Sequence, residues 1–533
     1  MARTSLSSSS LFSNPNAFFY LLIPTIILWF VYFRMSRKRL YELAAQFQGP
    51  EGYPLAGSIH EFVGDPLKIF EKVWKLSHKY TKNGSPGKLW IGHRLIVFLS
   101  HPKDIEVIYG SQTHIYKSPE YGFFNSWLGS GVLISNGEKW RTLRKLIAPT
   151  FHLNVLRSFV DFFYIHSLSA VDKMKEEGSK EFDVHHYMGA CTTEILLETA
   201  MGVDKKTHHQ VNGFEYASAV MKLCEIMHLR QVKLWLRSDR AFKLTSYLIL
   251  LHHYIMVMKK KKADFLKEKQ TTMEKCNTNS KEAEGSAQKF DAERNKREVT
   301  ETVEGVSFGQ SAGLKDDLDD DIGEKKRQPF LESLIENAAN GANLTDEDIR
   351  DQINTIMFSF FLCMMGVRPD IQEKVVEELE QIFGDSDRPC TFEDTLEMKY
   401  MERCIMETLR LYPPVPMTGR EPQEEVKLKS TDLTIPAKCT VVIGIFKLHR
   451  DPHYYAFIPF SAGPRGCLGK SQFAMLQLKV LLSTVLRNYK IYSDVPQKDW
   501  KLQADIILKR ADGFRIRLEP RKMTPKPKGS NGF

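Results

Sequence analysis

The chain has 533 residues, 42% of them hydrophobic and 26% charged, which excludes a minimal module or a disordered tract and allows one large domain or two to four ordinary ones. Its formal charge of +9 has no arginine-rich arm or aromatic-interleaved basic stripe behind it. That argues against nucleic acid as a partner and suits an anionic membrane face or an acidic protein. The eight cysteines, at 191, 224, 276, 363, 390, 404, 439 and 467, form no C-x-x-C or other compact zinc spacing and read as reduced thiols.

Residues 17–33, "AFFYLLIPTIILWFVYF", carry no charge and as a helix would span about 25 Å, enough for a thin bilayer core. Arg34, Arg37, Lys38 and Arg39 follow, against Arg3 and the amino terminus on the other side. The charge bias leaves the rest of the chain on the cytoplasmic face. A cleaved signal peptide is the rival, but it should be shorter and end at small residues rather than in a basic cluster. Residues 1–46 are therefore expected to be an anchor with its basic flank, and 47–58, "FQGPEGYPLAGS", a linker into the globule.

Along the globule, "KLWIGHRLIVFLS" (88–100) predicts a strand pair about a "GHR" turn, and helical periodicity dominates from there to about residue 267. Residues 268–328, with "KDDLDDD" at 315–321, predict a solvated, disordered loop. Helices are expected again from Leu331, with Thr345 as an N-cap before "DEDIRDQI". "DLTIPAKCTVVIGIF" (432–446) predicts a small sheet with Pro436 and Ala437 at a turn between two apolar runs. The fold class expected is mainly α with a small β region, as a single globular body over 47–523 with a flexible tail at 524–533.

The chemistry concentrates in "FSAGPRGCLGKS", 460–471, where Cys467 sits between glycines. A phosphate loop would match "GKS" at 469–471, but its first glycine falls on Pro464, and no magnesium-binding strand is apparent. An inert or redox thiol is a second reading. The third is a thiolate ligand to haem iron. Gly466 and Gly469 would let backbone N–H groups approach the sulfur, and the helix starting near Ser471 would point its positive end at it. Phe460 could shield the sulfur, and Arg465 could reach a haem propionate. Two helical pairs add to this reading. Trp140 and Arg144 at i, i+4 could both meet a propionate, and Glu407 and Arg410 at i, i+3 could form a buried ion pair bracing the ligand loop.

The pattern F-x-x-G-x-R-x-C-x-G, at Phe460, Gly463, Arg465, Cys467 and Gly469, resembles the haem-binding signature of the cytochrome P450 superfamily. "GEKWRTLRKLIAPTFH", "LTDEDIRDQINTIMF", "RLYPPVPMTGRE" and "HRDPHYY" are similar to its animal family-4 branch, the microsomal fatty-acid hydroxylases and their insect relatives. The resemblance implies a cytochrome P450 fold behind an N-terminal anchor, with Cys467 as proximal ligand of haem, iron protoporphyrin IX. It implies propionate contacts from Trp140, Arg144 and Arg465, and a structural ion pair of Glu407 with Arg410. It further implies hydroxylation of lipophilic substrates at the endoplasmic reticulum, fed with electrons by NADPH-cytochrome P450 reductase, with cytochrome b5 as a further candidate partner. The chain has no G-x-G-x-x-G loop after a strand to hold NADPH itself.

Two segments of the family pattern are absent. After "DQINTIMF" (351–358) the family carries a Gly-rich turn with an acid and threonines that relays protons to bound oxygen, whereas this chain continues into "SFFLCMMGVRPD" with Thr355 and Ser359 as its only hydroxyls there. Between "HRDPHYY" (449–455) and "AFIPF" (456–460) a loop is missing whose arginine completes the network of Glu407 and Arg410. The expectation is an intact ligand loop with a weakened brace and an impaired proton supply.

Overall fold

The structure, a computed structural model, describes residues 15–53, 56–62, 64–151, 156–201, 213–260, 346–467 and 470–521. The expected loop at 268–328, the helix start at Leu331, the Thr345 cap, Gly469 and the tail at 524–533 lie outside them. The helices of the amino-terminal half are α1 Pro15–Ser36, α2 Lys38–Ala45, α3 Pro66–Tyr80, α4 Pro102–Tyr109, α5 Asn125–Leu128, α6 Gly137–Ile147, α7 Val160–Met174, α8 Val184–Met201, α9 Gly213–Val232, α10 Leu234–Arg237, α11 Asp239–Lys243 and α12 over 246–260. Those of the other half are α13 Asp346–Val367, α14 Pro369–Phe383, α15 Phe392–Glu397, α16 Lys399–Leu411, α17 Ile445–Leu448 and α18 Lys470–Asn488.

Two helices form the centre. In α18 every residue from Val480 to Leu486 is buried, and in α13 so is every residue from Asn354 to Met365. A helix buried on all sides must be surrounded by other elements, and each fully buried Leu or Phe there adds about 2 kcal/mol. One buried charge at this centre is paired. Lys479 on α18 is fully buried and donates to Thr395 O at 2.7 Å and to Glu402 Oε2 at 2.6 Å, tying α18 to α15 and α16.

The strand pair predicted at 88–100 is present as β1 Gly87–Ile91 and β2 Arg94–Leu99, antiparallel about the two-residue turn Gly92–His93. The sheet at 432–446 differs from expectation. Thr434–Ile435 pairs with Val426–Lys427 in a separate ribbon, whereas Thr440–Ile443 joins β2 in parallel and Thr418–Arg420 antiparallel. Pro436 and Ala437 thus separate strands of different sheets. Lys438, at φ 58°, turns the chain so that Val441 and Ile443 enter the second core with Val97 and Leu99.

At the amino terminus α1 covers the apolar run, and Leu21, Leu28 and Tyr32 are about 70% exposed. Among the described residues no helix is long and apolar enough to cross a membrane. The basic flank is bound to the globule. Arg39 makes a bidentate pair with Glu425 at 3.0 and 2.9 Å, Arg37 donates to His93 O at 2.9 Å, and Leu43 and Ala44 are buried.

Candidate functional site

The loop before α18 is shaped by its backbone. Cys467 N–H donates to Phe460 O at 3.0 Å, and Gly466 N–H to Gly463 O at 2.8 Å, which curls the chain so that Phe460 and Cys467 stand opposite each other. Gly463 sits at φ +69°, and a Cβ there would lie 1.8 Å from Tyr109 O, so only glycine fits. Ser461 takes φ 65° without being glycine, a conformation that costs energy and is held by its surroundings. Cys467 is partly exposed and forms no disulfide among the described residues, and Phe460 packs against the main core.

Arg465 fastens this loop to the segment before α6. It donates through Nε to Ile115 O at 2.9 Å, through Nη1 to Val132 O at 3.1 Å and through Nη2 to Asn136 Oδ1 at 2.8 Å, with Ser135 O a further acceptor. Its guanidinium lies 4.5 Å over the buried ring of Trp140, and Arg144, one turn further along α6, donates to Gly466 O at 2.8 Å. The structure therefore brings Trp140, Arg144 and Arg465 together at the cysteine loop.

Arg420 was not among the residues predicted. It is 2% exposed, donates to Gly419 O at 3.1 Å and lies 5.2 Å from the Tyr109 ring, whose hydroxyl is bonded to Thr418. The signal available in sequence was a lone arginine in a short, otherwise buried strand, "TGR". Burial, with Arg420 and Arg144 beside it, pulls the Arg465 guanidinium down to about 9, still protonated at neutral pH. Burial raises the nearby Tyr121 phenol even though Arg420 lowers it. Among the described residues no carboxylate pairs with Arg420 or Arg465. Buried cations bonded only to neutral oxygens keep an unmet attraction for anions, and a paired carboxylate ligand such as haem's propionates fits that need.

The other expectations fare differently. Glu407 and Arg410 do pair, bidentately at 2.7 Å for both contacts. The pair is not buried, however, since the side chains are 54% and 37% exposed. Arg410 reaches His449 O at 3.1 Å rather than the ligand loop. With no further charged partner among the described residues, the pair stays solvated. Thr355 and Ser359 lie in an α13 that runs unbroken, and both face α8. Thr355 Oγ1 is 2.7 Å from Thr192 Oγ1, while Ser359 Oγ donates to Thr355 O at 2.8 Å and lies 3.2 Å from His185 Nδ1.

A mainly helical body with one partly exposed cysteine on a glycine-shaped loop, beside buried unneutralised arginines, defines a haem-thiolate protein class. The family model "Cytochrome P450" matches residues 47–456 and 452–516, and the chain belongs to the cytochrome P450 family. By resemblance it is a cytochrome P450 monooxygenase, and the cofactor the family implies is haem with thiolate-bound iron. It is 47% identical to cytochrome P450 4g15 of Drosophila melanogaster, over 96% of this chain and 98% of that protein. It is also 41% identical to cytochrome P450 4g1 and 33% identical to cytochrome P450 4c3 of the same fly, each over 94% of both chains. The two matched segments overlap at 452–456, where the second gap was read. The 4g15 alignment runs over 572 positions but uses 96% of 533 residues, about 512, so about 60 positions stand opposite no residue of this chain.

Proposed function

We propose that this chain is a membrane-anchored haem-thiolate monooxygenase of lipophilic substrates. Cys467 would hold the iron through its thiolate, Arg144, Arg465, Arg420 and Trp140 would meet the propionates, and Phe460 would shield the sulfur, with Gly469 the last residue of the motif. The observation that carries this reading is the convergence of Trp140, Arg144 and Arg465 on the Cys467 loop, with Arg465 4.5 Å over Trp140. When bound, haem supplies reductive activation of O2, favoured by thiolate donation. The protein's own residues position it, neutralise its carboxylates and keep water from the sulfur. The resemblance supports fatty acids as substrates, with insect hormones or foreign compounds as alternatives, and NADPH-cytochrome P450 reductase as electron donor, with cytochrome b5 as an accessory. The exposed apolar face of α1, followed by Arg34, Arg37, Lys38 and Arg39, supports placement in the endoplasmic reticulum membrane with the globule on the cytoplasmic side. A reduced carbon monoxide difference spectrum of the full chain tests the central claim. A maximum at the thiolate position is expected, and featureless apoprotein overturns it.

A second reading is a catalytically impaired product of the same gene. It is favoured by the Thr355 and Ser359 hydroxyls, which are committed to α8 and its neighbours. O–O cleavage needs protons at the distal side. Under this reading, NADPH consumed with reductase returns mostly as peroxide, whereas tight coupling to a hydroxylated fatty acid would exclude it.

A further inference from the structure

We propose that His449 is a positioning residue for the cysteine loop, its ring nitrogen holding the backbone that leads to Cys467. The residue follows α17 and is 5% exposed. Its Nε2 accepts Ile458 N–H at 2.9 Å, and its ring lies 5.0 Å from that of Phe457. Ile458 is in turn joined to the loop, since its carbonyl accepts Ser461 N–H at 3.0 Å. On the other side, His449 O accepts from Arg410, which Glu407 clamps. A continuous relay thus runs from Glu407 and Arg410 through His449 to Ile458, Ser461 and the turn that Phe460 O closes on Cys467 N–H.

The ring is suited to this task. Because Nε2 accepts a proton donor, the neutral imidazole carries its own hydrogen on Nδ1. That nitrogen is buried and makes no hydrogen bond of normal geometry among the described residues. Burial, aided by Arg450 and Arg410, pushes the group down to about 4, so the acceptor stays available at physiological pH. Arg450 is itself held by Phe446 O at 3.2 Å and by Leu411 O, with its guanidinium 3.6 Å over the Phe446 ring, which fixes the wall behind His449. The Glu407–Arg410 pair, exposed and remote from the ligand loop, acts on Cys467 through this histidine.

The role of His449 towards the cofactor rests on the haem-thiolate reading, but its effect on the backbone does not. Two variants of the full chain separate the ring's functions: His449→Phe keeps the aromatic packing and removes the acceptor, and His449→Gln does the reverse. Hydrogen exchange of a peptide over 456–467 in apoprotein should quicken about tenfold in His449→Phe and stay within about twofold of wild type in His449→Gln. In haem-loaded protein, His449→Phe should lose thiolate-type carbon monoxide absorbance in favour of the thiol type, and His449→Gln should retain it. A His449→Phe chain that fails to fold beside a folded, protected His449→Gln also supports the acceptor. Unchanged exchange in His449→Phe, or equal damage in both variants, overturns the proposal. Failure of the wild type to take up haem sinks the haem-thiolate reading alone, because the apoprotein exchange still decides this one.

Discussion

Arg465 and Trp140 form a stacked cation–aromatic pair, guanidinium 4.5 Å above the indole, at the junction of the cysteine loop and α6. The same guanidinium serves the carbonyls of Ile115, Val132 and Ser135. One side chain therefore joins three segments while retaining a charge that no described carboxylate neutralises.

Arg465→Leu is expected to lower thermal stability by about 3 kcal/mol, because several buried acceptors lose their donor at once, and to reduce haem content in step. Arg465→Lys should recover little, since an ammonium cannot present the planar fork that meets three carbonyls while stacked. Calorimetry and haem-to-protein ratios check both points. A lysine variant equal to wild type would show that charge alone is required.

Gly463→Ala should be more disruptive than its size suggests. The added methyl would lie 1.8 Å from Tyr109 O at a φ of +69°, so the loop or α4 must shift. A loss of about 3 kcal/mol or more is expected, with Cys467 no longer presented. Alkylation kinetics of Cys467 in apoprotein, with the other six described cysteines as internal controls, report the displacement. Unchanged kinetics would mean that the loop absorbs the methyl elsewhere.

Much of the site was legible because its signals are local. The G-x-R-x-C spacing from Gly463 to Cys467 and the i, i+4 pair Trp140 and Arg144 fix neighbours on one loop or one helix face. Arg420 was invisible because its environment is made by Tyr109 and Arg465, which lie far from it in the chain. The Glu407–Arg410 pair was legible as a contact but not as an exposed one, since burial depends on what covers a helix. The runs at 434–435 and 440–443 are both strands, in the stretch that predicted a sheet. Their partners were not legible: 434–435 pairs locally with 426–427, whereas 440–443 joins β2, more than three hundred residues earlier in the chain.

The interior of α7 and α8 predicts a pH dependence. His166, buried, lies 3.3 Å from Glu194 Oε2 through Nδ1 and bonds Glu198 through Nε2, with Lys173 2.9 Å from Glu194. Burial opposes the imidazolium, yet the Glu194 and Glu198 carboxylates raise the ring above its ordinary value. Burial likewise opposes Glu194, but His166 and Lys173 hold it below the usual carboxylate range. The histidine's contribution is complete below the unfolded value of about 6.5 and is lost as pH rises through its raised folded value. The glutamate's contribution is present above the ordinary carboxylate range and is lost as pH falls through its lowered one. Melting temperature of wild type should therefore decline relative to His166→Gln as pH rises above about 6.5 and through the raised folded value. Parallel melting curves would refute the assignment.

The Thr355 and Ser359 hydroxyls give the sharpest test of the second functional reading. A proton relay requires a hydroxyl within hydrogen-bond reach of the reacting oxygen. Thr355 instead meets Thr192 at 2.7 Å, and Ser359 meets the Thr355 carbonyl at 2.8 Å and His185 at 3.2 Å. Burial lowers the His185 ring to about 4, so that neighbour stays neutral and supplies no proton at physiological pH. Thr355→Val and Ser359→Ala are therefore expected to cost about 1 kcal/mol of stability each, from the interhelical bonds lost. Both should leave the ratio of peroxide to hydroxylated product within about twofold of wild type. The ratio is measured with reductase and a fatty acid by parallel assays of NADPH, peroxide and product. A tenfold shift in either variant would mean that its hydroxyl does reach the oxygen site, and the geometry of α13 would no longer favour the impaired reading.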